Sequence, residues 1–198
     1  IKMKKSLEII LVGTGFYVCG KNKKDYGTIL PAIFSFAKLN QINVKITIAL
    51  NKENSKNHFL EKYESLKKLI DTKDLVKYKF IFCKGLPQLF LKEYEISKNF
   101  VAGIISIPDD LHYEWSEALL KARIPLMVVK PLTLKLNESI KLYELSKKIS
   151  VPIFVEFHKR FDRQVKYVRD SFKNGFIGEP LYSYTEYTQK KEVPMENF

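Results

Sequence analysis

The chain has 198 residues, 45% hydrophobic and 28% charged, enough for one full domain and part of another. No apolar run approaches the ~20 residues of a membrane-spanning helix, and the two cysteines, Cys19 and Cys83, support neither a disulfide framework nor a zinc site. The net charge of +12 comes almost wholly from lysines interspersed with acidic residues, the only arginines being Arg123, Arg160, Arg163 and Arg169, which argues against a nucleic-acid surface. Lysines precede the apolar "LEIILVG", but Glu8 interrupts that region and Val18 before Cys19 is no small cleavage-site residue. We read no export signal and expect the cytoplasm.

In chain order, "EIILVG" predicts a strand buried on both faces, and "GTILPAIFSFAKLN" a helix with Pro31 in its first turn. "VKITIAL" is a second strand; "SKNHFLEKYESLKKLI" is a helix with Phe59, Tyr63, Leu66 and Ile70 on one stripe. "YKFIFC" is a third strand, followed by a helix that Pro87 starts. "VAGIISI" is a fourth strand, and the helix after it, with Trp115 and Tyr113 on its core side, has Asp110 as N-cap. "PLMVV", a helix capped by Asn137, and the strand "PIFVEF" complete the alternation. Strand and helix alternating with near-continuous apolar strands predict a doubly wound parallel sheet, covered on both faces, over residues 1–157. Beyond it the pattern changes. "RQVKYVRDSFKNG" is a helix ending at Gly175, and "PLYSYTEYTQ" alternates like one strand of an antiparallel sheet. One strand makes no sheet, so residues 158–198 read as the start of a second α/β domain, opened and not completed.

Gly13 and Gly15 follow the first strand directly, where a dinucleotide fold needs a tight turn whose backbone approaches a pyrophosphate. Val18 stands where the third glycine of G-x-G-x-x-G is expected; that glycine serves packing, and Gly27 takes the role if the helix begins beside it and residues 17–26 form an inserted lobe. Lys21, Lys23 and Lys24 in that lobe fit phosphate contact or a solvated charge run equally. Asn51 and Lys52 end the second strand, where an acid would hold the ribose hydroxyls of NAD. An amide followed by a cation suits a 2′-phosphate, which tilts the cofactor from NAD toward NADP.

"SIPDDLH" after the fourth strand, "VVKPLT" after the fifth, "FHKRFD" and "GFIGEP" stand in the order found in the glucose–fructose oxidoreductase/inositol dehydrogenase (Gfo/Idh/MocA) family, which the chain resembles from about Leu7 to its last residue. Two departures are Val129 in place of the family's glutamate before the lysine and Ile107 in place of its threonine. The resemblance implies a Rossmann domain binding NAD or NADP. It also implies a second domain whose sheet carries substrate and, when complete, joins copies of the chain into an oligomer. Hydride would pass between nicotinamide and a hydroxyl-bearing carbon of a sugar, cyclitol or nucleotide sugar. Cofactor contacts then fall on Gly13, Thr14, Gly15, Phe16, Asn51, Lys52, Ile107, Pro108, His112, Lys130 and Pro131. Lys130 is cast as the catalytic group, stabilising alkoxide charge and relaying a proton, against the alternative of a surface lysine. His112 fits a cofactor-side or a surface position. The family's acid/base histidine lies deeper in the second domain, so His58, His112 and His158 are not given that role. The rival reading is a nucleotide-binding module without catalysis.

Overall fold

The computed structural model describes residues 6–22, 24–53, 55–95, 100–186 and 188. Strand β1 (Ser6–Val12) sends Ile9 and Leu11 into the core on one face of a sheet and Ile10 and Val12 into the core on the other. With both faces covered, the period-two alternation leaves no solvent side, which is why the run is apolar throughout. Glu8 is the exception. Fully buried, its carboxylate accepts from the Thr47 hydroxyl at 2.6 Å and pairs with Lys45 Nζ at 3.1 Å, so the charge is compensated where it is desolvated.

The helical turn α1 (Phe16–Cys19) and helix α2 (Ile29–Asn40) lead to β2 (Asn43–Leu50), and α3 (Ser55–Ile70) leads to β3 (Val76–Phe82). Then come α4 (Pro87–Glu93), β4 (Phe100–Ile105), α5 (His112–Lys121), β5 (Leu126–Val129), α6 (Leu136–Ile149) and β6 (Ile153–Glu156). All neighbouring strands pair parallel, in the order β3-β2-β1-β4-β5-β6. This is the Rossmann doubly wound sheet, with its topological switch between β1 and β4. Helices α2 and α3 bury Leu30, Phe34, Phe59 and Leu66 against one face; α4, α5 and α6 bury Phe90, Trp115, Leu119 and Leu142 against the other. Each fully buried side chain of this size stabilises by about 1.5–3 kcal/mol.

Three local expectations are corrected. Asp110 does not cap α5: it lies inside a 3₁₀ turn (Asp109–Leu111), and the N-cap is Leu111 without a side-chain bond. Asn137 lies inside α6, whose N-cap is Lys135. Asp110 thus falls one residue before the N-cap of α5, and Asn137 two residues after that of α6, so neither side chain stands at the capping position. Residues 181–186 and Thr188 carry no regular structure where alternation predicts a strand, and Tyr187 and Gln189 lie outside the described residues. A strand is defined by pairing, and no other strand pairs with this segment among the described residues.

The chain divides into two compact units, Ile1–Glu156 and Phe157–Phe198. The second contains a 3₁₀ turn (His158–Phe161) and helix α7 (Arg163–Lys173), with Asp162 as N-cap pairing to Lys159 at 3.0 Å.

Candidate functional site

The turn after β1 is built by two glycines with different tasks. Gly13 has φ +100°, and a Cβ there would overlap the carbonyl oxygen of Ser106 and lie 3.0 Å from Ile107 Cγ2. Its missing side chain lets the turn after β1 touch the turn after β4, where Ser106 N–H donates to Val12 O at 2.9 Å. Gly15, with φ −68°, is the N-cap of α1, and a Cβ on it would meet nothing within 4 Å. That open side is the space a pyrophosphate needs, and the first N–H groups of α1 have no acceptor inside the helix. Thr14 is half-buried and Phe16 exposed beside it. The residues present therefore fit a dinucleotide.

The expected lobe is displaced from residues 17–26. Phe16–Cys19 is a helical turn with Val18 and Cys19 fully buried, and α2 resumes at Ile29. Tyr17 O accepts from Thr28 N–H at 2.9 Å, where an uninterrupted helix would supply residue 21, so seven residues (28 − 21) are looped out of one helix. Gly27, at φ +67°, has no room for a Cβ, which would lie 2.7 Å from Phe16 O; it packs against α1, not against a strand.

The loop is fastened to α3 along one stripe. His58 Nε2 lies 2.8 Å from Gly20 O, Ser65 Oγ lies 2.8 Å from the Tyr26 hydroxyl, and between them Lys62 is buried. Lys62 Nζ donates to Asn22 O and to Asp25 O, the latter at 2.6 Å, and stands 4.9 Å from the Tyr26 ring centroid. Asp25 accepts from the N–H groups of Gly27 at 2.9 Å and Lys21 at 3.0 Å, bonds that hold its carboxyl below the usual range. Lys21 Nζ lies 5.4 Å from the Phe16 ring centroid, Lys24 is exposed, and Lys23 lies outside the described residues. The one sequence signal for this fastening is that Lys62 falls on the apolar stripe of Phe59, Tyr63 and Leu66.

Asn51 and Lys52 are exposed just beyond β2, with the Asn51 amide 3.4 Å from where a Cβ of Gly85 would lie. Beyond β4 and β5, Ile107 and Pro131 are half-buried, Pro108 and Lys130 exposed, and Val129 buried in the core. His112 is 1% exposed: its Nδ1 lies 2.8 Å from Pro131 O and its Nε2 3.0 Å from Ile107 O. Thus Gly13, Ile107, His112 and Pro131 come together at the carboxyl ends of β1, β4 and β5, while Asn51 and Lys52 stand at the end of β2. Burial pushes the Cys19 thiol up to about 12 and also raises Cys83, so neither is a ready nucleophile. Among the described residues no group of acids, histidines and cysteines could hold a metal.

The model of an oxidoreductase family with an NAD-binding Rossmann fold matches residues 7–157. The chain belongs to the Gfo/Idh/MocA oxidoreductase family. A myo-inositol 2-dehydrogenase of Thermotoga maritima is 34% identical over 98 residues, 48% of this chain and 29% of that protein. Among the solved structures that match the fold are an apo scyllo-inositol dehydrogenase from Lactobacillus casei (TM-score 0.56, 16% identity) and an NAD binding oxidoreductase from Klebsiella pneumoniae (TM-score 0.57, 16% identity). They are covered over 89% and 88% of this chain, and over 44% and 40% of their own. The chain thus spans less than half the length of these three proteins. Among the described residues, no helix is long and apolar enough to cross a membrane.

Proposed function

We propose that this chain is the cofactor-binding part of an NAD(P)-dependent oxidoreductase acting on a sugar, cyclitol or nucleotide sugar. The observation that carries the reading is the open glycine turn at the β1/β4 switch point, inside a stretch that matches an NAD-binding oxidoreductase family. The inositol dehydrogenase names among its relatives support the substrate class. When bound, the nicotinamide accepts or gives the hydride. Thr14, Gly15 and Phe16 would take the pyrophosphate and Asn51 with Lys52 the adenosine ribose, with a preference for NADP. Ile107, Pro108 and Pro131 would form the floor under the other half. Lys130, exposed beyond β5, would place its ammonium at the substrate oxygen as charge develops there, and pass on its proton. Residues 1–157 would be the cofactor domain and 158–198 the start of a substrate domain. Copies would associate through the sheet of that domain, and the enzyme would work in the cytoplasm.

One observation favours a binding module without catalysis. Val129 is buried in the core where the family's glutamate would stand, so Lys130 has no acid immediately before it. Fluorescence titration with NADH and NADPH, followed by turnover on a panel of inositols, sugars and nucleotide sugars, separates the readings. Cofactor binding with turnover that Lys130→Met abolishes supports the enzyme and overturns the module; no binding overturns both; binding without turnover is expected alike of the module and of a cofactor-binding part assayed without a complete substrate domain.

A further inference from the structure

We infer that His112 is a positioning residue that clamps the two connections beneath the nicotinamide half of the cofactor, an inference that rests on the cofactor reading above. Strands β4 and β5 pair through Ile105↔Val128, and Ile107 and Pro131 lie beyond the last residues of their strands. Backbone pairing no longer couples the chain there. The imidazole of His112, at the first residue of α5 and buried, bridges the gap by reaching one carbonyl on each side, Pro131 O at 2.8 Å and Ile107 O at 3.0 Å. Carbonyls only accept, so the ring must supply the hydrogen to each bond it makes: a neutral ring satisfies one carbonyl and an imidazolium both. In either form both nitrogens are turned toward carbonyls and neither toward a ligand. The side chain therefore acts through the backbones it holds.

Those backbones are the ones that matter. Ile107 also lies against Gly13, and Pro131 directly follows Lys130, so the clamp joins the turns after β1, β4 and β5. In a sheet of this topology the adenosine ribose is held at the end of β2, so the other half of a dinucleotide crosses to the β4 and β5 side. Loosening the clamp should cost affinity for that half alone.

The test compares NADH and NADPH with ADP-ribose and its 2′-phosphate, fragments that lack nicotinamide. In His112→Leu the reduced dinucleotide should bind about tenfold more weakly while the matching fragment stays within about twofold of wild type. His112→Gln, whose amide carries two N–H donors, should recover most of the loss. If His112→Leu does not fold, wild-type protein decides: the His112 imidazole ¹⁵N signals should move on adding the dinucleotide and stay in place with the fragment. Unchanged dinucleotide affinity in a folded His112→Leu, equal loss of both ligands, or ¹⁵N signals that respond equally to both overturns the inference while leaving the cofactor reading intact. Wild-type protein that binds neither ligand overturns the cofactor reading, and the clamp's role with it.

Discussion

The Tyr17 hydroxyl donates to Glu156 Oε2 at 2.9 Å, tying the helical turn after the first strand to the end of the last. Strands β4 and β5 lie between those two strands in the sheet, so the bond spans the carboxyl edge where the candidate site is assembled. Burial first, and then the bond to Glu156 and its negative charge, push the phenol up to about 12 from 10.0. A raised phenol favours the native state while the unfolded chain is also protonated. Stability from this group is therefore fully present below about pH 10 and is lost as pH rises toward about 12. Tyr17→Phe should destabilise by about 1–2 kcal/mol at neutral pH, read from urea melts. It should also flatten the fall in stability over that alkaline window.

Gly13 and Gly15 should separate folding from binding. Gly13→Ala forces a Cβ onto the Ser106 carbonyl at a positive φ and should cost about 3 kcal/mol or more. Gly15→Val places its side chain in open space at an ordinary backbone angle, so the melt should stay within about 0.5 kcal/mol of wild type. NADH affinity of that variant should nonetheless fall about tenfold, because the pyrophosphate loses its approach. Wild-type affinity in folded Gly15→Val would show that the turn is only a turn.

Lys62→Met removes the donor shared by Asn22 O and Asp25 O and should cost about 1–3 kcal/mol. Hydrogen exchange should speed up in residues 20–28, at the Lys21 and Gly27 amides that Asp25 holds, and not in the sheet. The Asp25 carboxylate holds those amides above its ordinary titration range and releases them as pH falls below it, so acid should lower their protection relative to the intrinsic exchange rate. Uniform acceleration throughout the chain would assign Lys62 to the core instead of to the loop.

The strands were legible because each is buried on both faces, and burial on both faces leaves an unbroken apolar run such as "EIILV". The residues at the switch point were legible for a related reason: Gly13 directly follows such a run, and Ile107 and Pro131 lie two residues past the ends of β4 and β5. What the sequence did not reveal depends on partners far along the chain. Phe16–Cys19 is too short to signal a helix by itself; burial of Val18 and Cys19 in the core decides it. Lys62 meets carbonyls 40 and 37 positions away, and Tyr17 meets Glu156 at a separation of 139, distances no local periodicity encodes. His112 could be placed at a helix start, but the carbonyl of Pro131 could be set against its ring only by folding β4 beside β5.

Cofactor choice turns on the end of β2. Asn51 and Lys52 are both exposed there, with the Asn51 amide near the turn at Gly85. A carboxylate in that place would bind ribose hydroxyls and repel a 2′-phosphate; an amide with a neighbouring ammonium does the reverse. NADPH should bind more tightly than NADH. Lys52→Ala should lower the ratio of the two affinities about five- to tenfold while NADH itself stays within about twofold. Asn51→Asp should push the ratio further in the same direction, since it adds the repelling charge. Because Lys52 is exposed, the preference should also shrink as salt rises from about 0.05 to 0.5 M, a range in which the Debye length falls well below 10 Å. Titration of both reduced cofactors at two salt concentrations reads all of these effects. Tighter binding of NADH, or a ratio that neither substitution nor salt alters, would place the discrimination elsewhere in the site.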